Sequence, residues 1–343
     1  MSGKIAVVGA GSWGTAISAL LAKKDFSVAL WARDSKLARV MQASRHNPRY
    51  LVDVLVPQNV LITDDLGEAL EGAKTVVFAV PSHAMRSIVQ RVREHLISEA
   101  LILSLVKGIE VDSLMRMSEV IESELPAEFH KKIGVLSGPN HAEEVSREIP
   151  SATVISAHNR EVALKLQESF MTPYFRVYTN SDIVGVELGG ATKNVIAIAA
   201  GISDGLGYGD NTKASLMTRG LAEMTRLGVT MGARPLTFSG LSGVGDLIVT
   251  CTSRYSRNRA VGEKIGKGMT LEEVSRDMRM VAEGVRTSLA IRYLAEKHGV
   301  EMPITKNVTE VLYEGKDPHD SVSDLMTRGA RDEIELLREQ EWG

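Results

Sequence analysis

Lys193 and Asn194 stand inside Leu188 to Gly209, LGGATKNVIAIAAGISDGLGYG, a run otherwise made mostly of small and aliphatic residues. An ammonium in such surroundings has two readings. Burying a charge without a partner is strongly unfavourable, and desolvation lowers a lysine pKa until the amine exchanges protons near neutral pH, which is acid–base chemistry. The other reading is a lysine at a helix edge whose aliphatic stem carries the charge to water. Gly189 and Gly190 favour the first, because two adjacent glycines weaken a helix by roughly 1 kcal/mol each relative to alanine. Their presence predicts a ligand or another backbone passing close by.

A second group of residues points to phosphate chemistry. Gly9-Ala10-Gly11-Ser12-Trp13-Gly14 follows the β-rich run KIAVV and precedes the helical stretch TAISALLAKK. In that setting Gly9 makes the tight turn, Gly11 lets the backbone approach a pyrophosphate, and Gly14 lets helix and strand pack. The free N–H groups of the helix then face the phosphates. The next strand, SVALW, ends at Ala32-Arg33-Asp34. An acid at this place binds a ribose 2′-hydroxyl and an arginine accommodates a 2′-phosphate, so the expected cofactor is NADPH, NADH or both. Arg33 as a surface residue paired with Asp34 is the plainer reading.

Further on, Asp246 lies in the glycine-rich stretch Ser239 to Thr252, expected to be irregular, and Ser253-Arg254-Tyr255-Ser256-Arg257-Asn258-Arg259 follows it. Guanidinium groups there would clamp a phosphate bidentately. Lys107, at the end of an apolar run, is a candidate for holding an anion or else a solvated lysine. His141, after Asn140, is a candidate for substrate contact or for a helix start.

These residues need elements to hold them. Thr75 to Val80, Leu101 to Val106 and Ile133 to Leu136 are nearly continuous apolar runs, as in strands buried on both faces of a parallel sheet. The turns beyond them, Pro81-Ser82-His83, Lys107-Gly108 and Ser137-Gly138-Pro139-Asn140, should line one crevice at the carboxyl ends of the strands. Thr153 to Ser156 and Phe175 to Tyr178 complete the sheet. After about Asn180 the pattern becomes helical: the lysine run, a stretch from about Asn211 to Leu227, and a capping-box start at Thr270 to Glu273. Gly284 to His298, a helix opened by Pro303 and Asp317 to Arg328 follow. The expected architecture is α/β: a Rossmann-like, doubly wound, mostly parallel sheet over residues 1–180, then an all-α substrate and catalytic domain over 181–343. The lysine helix should form the interface.

Composition narrows the class. The 343 residues are 44% hydrophobic, enough for about two domains, and the net charge of −3 gives no general attraction to nucleic acid or to an anionic membrane. The arginine stretch is short and lacks interleaved aromatics beyond Tyr255, so no nucleic-acid partner is expected. A single cysteine, Cys251, excludes an internal disulfide framework and reads as packing. The chain opens directly on a strand, without a signal-peptide pattern. No apolar run approaches the ~18 residues of a membrane span. A cytoplasmic protein without a membrane span is expected. No metal is expected either, since the histidines show no paired ligand spacing. Gly262 to Gly268 lacks the Ser or Thr of a P-loop, and there is no G-x-S-x-G elbow.

Gly9 to Gly14 with Trp13, Lys107-Gly108, Ser137-Gly138-Pro139, LGGATKNVIAIAAGISDG, TRGLAEMTRLG, GVGDLIVTCTSRYSRNR and VAEGVRT closely resemble, in this order and across nearly the whole chain, the bacterial NAD(P)-dependent glycerol-3-phosphate dehydrogenases. The resemblance implies reversible hydride transfer between dihydroxyacetone phosphate and sn-glycerol 3-phosphate, serving phospholipid synthesis, with Lys193 as proton donor and acceptor. It places Lys107, Gly138, Asp246, Ser256, Arg257 and Asn258 at the substrate, with Asn140 and Asn194 as further substrate-side candidates. It places Ser12, Trp13, Arg33, Lys107, Ala142, Arg257, Val281 and Glu283 at the cofactor beside the glycines. A homodimer is compatible with it. Asn140 stands where relatives usually carry Ser or Thr, and an amide can still hydrogen-bond there. Two rivals stay open: a dehydrogenase of the same architecture acting on a carboxylated hydroxy acid, and a non-catalytic dinucleotide sensor.

Overall fold

The computed structural model describes residues 3–277, 282–330 and 333. Ten strands form: β1 Lys4–Val8, β2 Ser27–Trp31, β3 His46–Asn47, β4 Leu51–Leu55, β5 Val60–Thr63, β6 Ala73–Phe78, β7 Leu101–Ser104, β8 Ile133–Ser137, β9 Ser151–Ala157 and β10 Phe175–Asn180. Eight make one sheet in the order β10-β9-β8-β7-β6-β1-β2-β5, and β3 pairs with β4 as a separate hairpin. From β5 across to β8 every pairing is parallel; β9 runs antiparallel to β8, and β10 is parallel to β9. The expectation of a mostly parallel sheet holds. The edge strand β5 and the hairpin fall in a region where the sequence pattern predicts no strands.

β1, β6 and β7 are buried because both faces of the sheet are covered. Ile5 and Val7 pack into a cluster with Ile17, Leu20 and Leu21 of the first helix, while Ala6 and Val8 pack with Val76, Phe78 and Val89 on the other face. The carboxyl ends of β1, β6, β7 and β8 lie along one rim, since these strands run parallel. That rim carries the glycine turn, Pro81–His83, Lys107 and Ser137–Asn140.

Six helices carry the site or pack beside it: α1 Ser12–Ala22, α2 Ile183–Gly205, α3 Asp210–Thr230, α4 Asp246–Thr252, α5 Arg257–Gly266 and α6 Glu283–His298. Helix α2 starts where Asp182 Oδ1 accepts the Gly185 N–H at 2.9 Å, and Asp182 Oδ2 also binds Arg234 N and Thr237 Oγ1. Its 23 residues are long and apolar enough to pass the length and composition test for a membrane span, yet nearly all of its surface is covered by the rest of the protein. The run of alanines and glycines is explained by the crossing with α5. A Cβ on Gly201 would sit 2.0 Å from the Arg259 carbonyl oxygen, and one on Gly262 would sit 2.1 Å from that of Ile198, so the two backbones touch.

Candidate active site

The glycine turn is built as its spacing requires. Gly9 has φ +119°, and a Cβ there would lie 2.6 Å from the Ala79 carbonyl oxygen; a Cβ on Gly14 would lie 1.9 Å from that of Gly9. A Cβ at Gly11 would meet only open space, and Gly11 caps α1 with no side-chain hydrogen bond. The start of an eleven-residue helix therefore faces a cradle open on that side. These features fit the diphosphate of a nicotinamide dinucleotide. Ser12 Oγ donates to the Tyr50 carbonyl at 2.8 Å, tying the turn to the hairpin, and Trp13 meets the edge of the Phe175 ring.

From this turn a cleft of roughly 620 Å³ runs to Lys193. It is lined by Gly9, Gly11, Ser12, Trp13, Arg33, Lys107, Asn140, Ala142, Lys193, Asn194, Asp246, Ser256, Arg257, Asn258 and Glu283, so most residues singled out in the sequence meet in one place. Gly14 and Gly138 are set back from it. Gly14 packs under the turn, and Gly138 offers its carbonyl to Lys107 Nζ at 2.8 Å. Val281 lies outside the described residues.

Lys193 is 6% exposed. Its Nζ lies 3.0 Å from Asp246 Oδ1 and donates to Thr250 Oγ1 at 2.6 Å. Lys107 Nζ holds the other carboxylate oxygen of Asp246 at 2.6 Å. Two ammoniums thus share one buried carboxylate, leaving one positive charge in excess. Burial pushes the Lys193 amine down to about 8, against the pull of Asp246 and with help from Lys107. Asp246 stays below the ordinary carboxylate range because the two lysines outweigh its burial. A lysine that reaches water is excluded, and so is a Lys107 turned into solvent.

Two sequence expectations, the extent of the irregular stretch and the partner of Asp34, need correction, while the one for Gly189 and Gly190 is met by its second alternative. The stretch Ser239 to Thr252 is irregular only as far as Gly245; Asp246–Thr252 is helix α4, which puts Asp246 and Thr250 one turn apart on the face toward Lys193. The close approach that Gly189 and Gly190 predict is made by protein: Cβ atoms there would lie 2.5 Å from the Ser242 carbonyl and 2.5 Å from Ser137 Oγ. Asp34 pairs with Arg49, not Arg33. Cys251 is buried packing, and burial pushes its thiol up to about 12.

On the far side of Lys193, Asn194 Oδ1 accepts from Asn258 Nδ2 at 2.8 Å, and Asn258 Oδ1 accepts the Gly284 N–H at 2.9 Å, which joins α2, α5 and α6. Ser256 caps α5 by accepting from Arg259 N, and Arg257 stands exposed at that helix start with no side-chain hydrogen bond or ion pair among the described residues. Glu283 accepts from Ser82 N and, at 2.5 Å, from Ser82 Oγ. Asn140 donates to the Pro139 and Ala152 carbonyls, while its Oδ1 and His141 Nε2 are buried without partners. His141 starts the short helix Ala142–Val145 with its carbonyl, the second of its two readings, and also lines the cleft. Burial and the two lysines push its ring down to about 4, so it is neutral. Sequence reasoning missed Thr250, Arg49 and Tyr50. The i, i+4 spacing of Asp246 and Thr250 was the signal for the first.

Two family models match the chain, the NAD-dependent glycerol-3-phosphate dehydrogenase N-terminus over residues 4–163 and the corresponding C-terminus over residues 182–323. The chain is 55% identical over 335 residues to a glycerol-3-phosphate dehydrogenase [NAD(P)+] of Pelotomaculum thermopropionicum, covering 98% of this chain and 96% of that one. It is 53% identical to that of Chlorobium phaeobacteroides, covering 96% and 99%. Among solved structures, the glycerol-3-phosphate dehydrogenase of Coxiella burnetii superposes with a TM-score of 0.91 at 38% identity, covering 95% of this chain and 99% of that one.

Proposed function

The chain belongs to the NAD-dependent glycerol-3-phosphate dehydrogenase family and is an NAD(P)-dependent oxidoreductase acting on the CH–OH group of sn-glycerol 3-phosphate, and on that premise we propose that Lys193 is its proton donor and acceptor. The observation that carries the proposal is the buried Lys193 amine, poised at about 8 between Asp246 and Thr250 in the cleft that begins at the glycine turn. Bound nicotinamide supplies the hydride to the ketone carbon of dihydroxyacetone phosphate, or takes it back. In reduction the Lys193 ammonium polarises the ketone oxygen and gives its proton to the alkoxide; in oxidation the neutral amine removes the hydroxyl proton. Charge developing on oxygen meets a fixed cation in a site largely closed to water, where the interaction is strongest.

Asp246 and Thr250 hold the amine in place, and Lys107 adds the excess positive charge that favours an anionic substrate. Arg257, Ser256 and Asn258 receive the phosphate at the start of α5, using binding energy away from the reacting carbon to fix the geometry. Gly138, Asn140 and Asn194 complete the substrate side. Gly9, Gly11, Ser12, Trp13, Gly14, Arg33, Lys107, Ala142, Arg257, Val281 and Glu283 form the cofactor side. A carboxylated hydroxy acid is set aside as substrate by the family membership, and a non-catalytic sensor with it. The division into residues 1–180 and 181–343 belongs to the same proposal, supported by strands that end at Asn180 and helices that begin at Ile183. A cytoplasmic homodimer that supplies glycerol 3-phosphate for phospholipid synthesis is the cellular setting proposed.

The pH dependence of kcat/KM in both directions tests the assignment of Lys193. Reduction requires the ammonium, so it is full below about 8 and falls as pH rises through that value; oxidation requires the amine and rises over the same range. Profiles flat between pH 6.5 and about 9.5 would remove Lys193 from the proton transfer.

A further inference from the structure

We infer that Arg49, on the hairpin beside the glycine turn, is the residue that makes this cleft select nucleotides carrying a 2′-phosphate, acting with Arg33 while the carboxylate of Asp34 is engaged elsewhere. The inference rests on the reading of the cleft as a nicotinamide-dinucleotide site and names the form of the dinucleotide it prefers.

Asp34 stands at the end of β2, where a carboxylate would receive the ribose 2′-hydroxyl of NADH. Here that carboxylate caps the helix Ser35–Ser44: Oδ1 accepts from Lys36 N at 3.0 Å and Leu37 N at 3.2 Å. Its other oxygen faces Arg49 Nη1 at 3.4 Å. Oδ1 is thus taken up by the helix start, and Oδ2, the one oxygen left for a sugar hydroxyl, already faces a guanidinium. Three cations, Arg33, Lys36 and Arg49, surround this one carboxylate in sequence or in space, and both arginines line the cleft with the glycine turn. Arg33 is exposed and makes no hydrogen bond or ion pair among the described residues.

The placement of Arg49 is built, even though its side chain is exposed. Asn47, fully buried, donates to the Ala10 carbonyl at 3.0 Å and to Thr15 Oγ1 at 2.8 Å, and its own Oδ1 accepts the N–H groups of Arg49 and Tyr50. Ser12 Oγ holds the Tyr50 carbonyl from the other side. The backbone at Arg49 is therefore fastened to the turn that receives the diphosphate, at a fixed distance from it, and the guanidinium lies 5.3 Å from the centre of the Tyr50 ring. The pair with Asp34 is half exposed, with side chains 53% and 47% accessible. Such a pair is worth less than about a fivefold factor in an equilibrium. A phosphate dianion, which an arginine fork can bind through two parallel hydrogen bonds, displaces it readily.

Titration calorimetry of the full chain with NADP+ and with NAD+ tests this, using the parent, Arg49→Ala, Arg33→Ala and Asp34→Asn. The parent should bind NADP+ the more tightly, and Arg49→Ala should reduce the NADP+ over NAD+ preference by about tenfold or more, as expected for losing a charge-assisted hydrogen bond. Asp34→Asn keeps a good helix cap and should raise the preference. An unchanged preference in Arg49→Ala, or a lowered one in Asp34→Asn, would overturn the inference while leaving the dinucleotide site standing. A parent that binds neither nucleotide would overturn the dinucleotide reading and this inference with it.

Discussion

Replacing Asp246 with asparagine removes the only carboxylate within reach of Lys193 Nζ, at 3.0 Å, among the described residues, and the one held by Lys107 Nζ at 2.6 Å. The size of the effect follows from the burial. Removing one partner of a buried ion pair is worth about 3–5 kcal/mol, or ~2–4 pKa units at 1.36 kcal/mol per unit. The asparagine oxygen still accepts one hydrogen bond, so a fall of about 2 units is expected. Lys193 would then move from about 8 to ~6. At pH 7.5 its ammonium fraction would drop from roughly three quarters to roughly 3%, which alone lowers kcat/KM for dihydroxyacetone phosphate by ~25-fold. The assay is the initial rate of reduced-nicotinamide oxidation across pH 5.5 to 9.5, covering both limbs. The falling limb of reduction should shift down with the pKa, and the deficit should shrink to a few-fold at the acid end. A limb that stays near 8 while the rate falls by one factor at every pH would refute the electrostatic reasoning and leave Asp246 a purely geometric part.

Arg257→Ala should raise KM for dihydroxyacetone phosphate by about tenfold to a hundredfold while leaving the slow turnover of unphosphorylated dihydroxyacetone unchanged, since only the phosphate contact is lost; equal effects on both compounds would misplace the phosphate. Glu187, near the start of α2, is 7% exposed and holds Arg116 Nη1 at 2.6 Å together with the N–H and hydroxyl of Ser118, so Glu187→Leu alone should lower unfolding stability by about 3–5 kcal/mol in denaturant titration. Adding Arg116→Met should recover part of that loss, because in Glu187→Leu the Arg116 charge keeps only Glu119, at 2.8 Å, among the described residues; a double variant weaker than the single one would show that Arg116 stabilises the fold without Glu187.

The parts of the molecule that were legible in the sequence are those where local pattern and tertiary role coincide. Lys4–Val8 followed by Gly9 to Gly14 reads as strand, turn and helix because the turn is closed locally, Gly9 taking a positive φ and Gly14 packing against the Gly9 carbonyl oxygen. Thr270 to Glu273 reads as a helix start, and Glu273 Oε2 does accept the Thr270 N–H at 2.8 Å while Thr270 Oγ1 accepts that of Glu273. Gly299 ends α6 in the left-handed conformation expected of it. What the sequence left open or missed lies where the cause is distant. Gly189 and Gly190 announced a close approach, but nothing local says whether a ligand or the Ser242 carbonyl makes it. The glycines before Asp246 masked a helix, and with it the i, i+4 pairing that brings Thr250 to Lys193. β5 is short, follows the polar Pro57 to Asn59 and finds its pairing only through β2, and the hairpin at His46 to Leu55 is held by Asn47 reaching back to Ala10. Of the site itself, the lysine and its carboxylate were legible by type, whereas Arg49 was not, because its place beside the glycine turn depends on side-chain hydrogen bonds across 32–38 positions of chain.

The most direct measurement is a single turnover of dihydroxyacetone phosphate by Lys193→Met saturated with reduced nucleotide, with the nucleotide Kd determined alongside. Loss of the proton donor predicts a rate lower by ~10³ or more, with the Kd within about twofold of the parent's. A variant that reduces the ketone at close to the parent's rate would contradict the assignment of Lys193 outright.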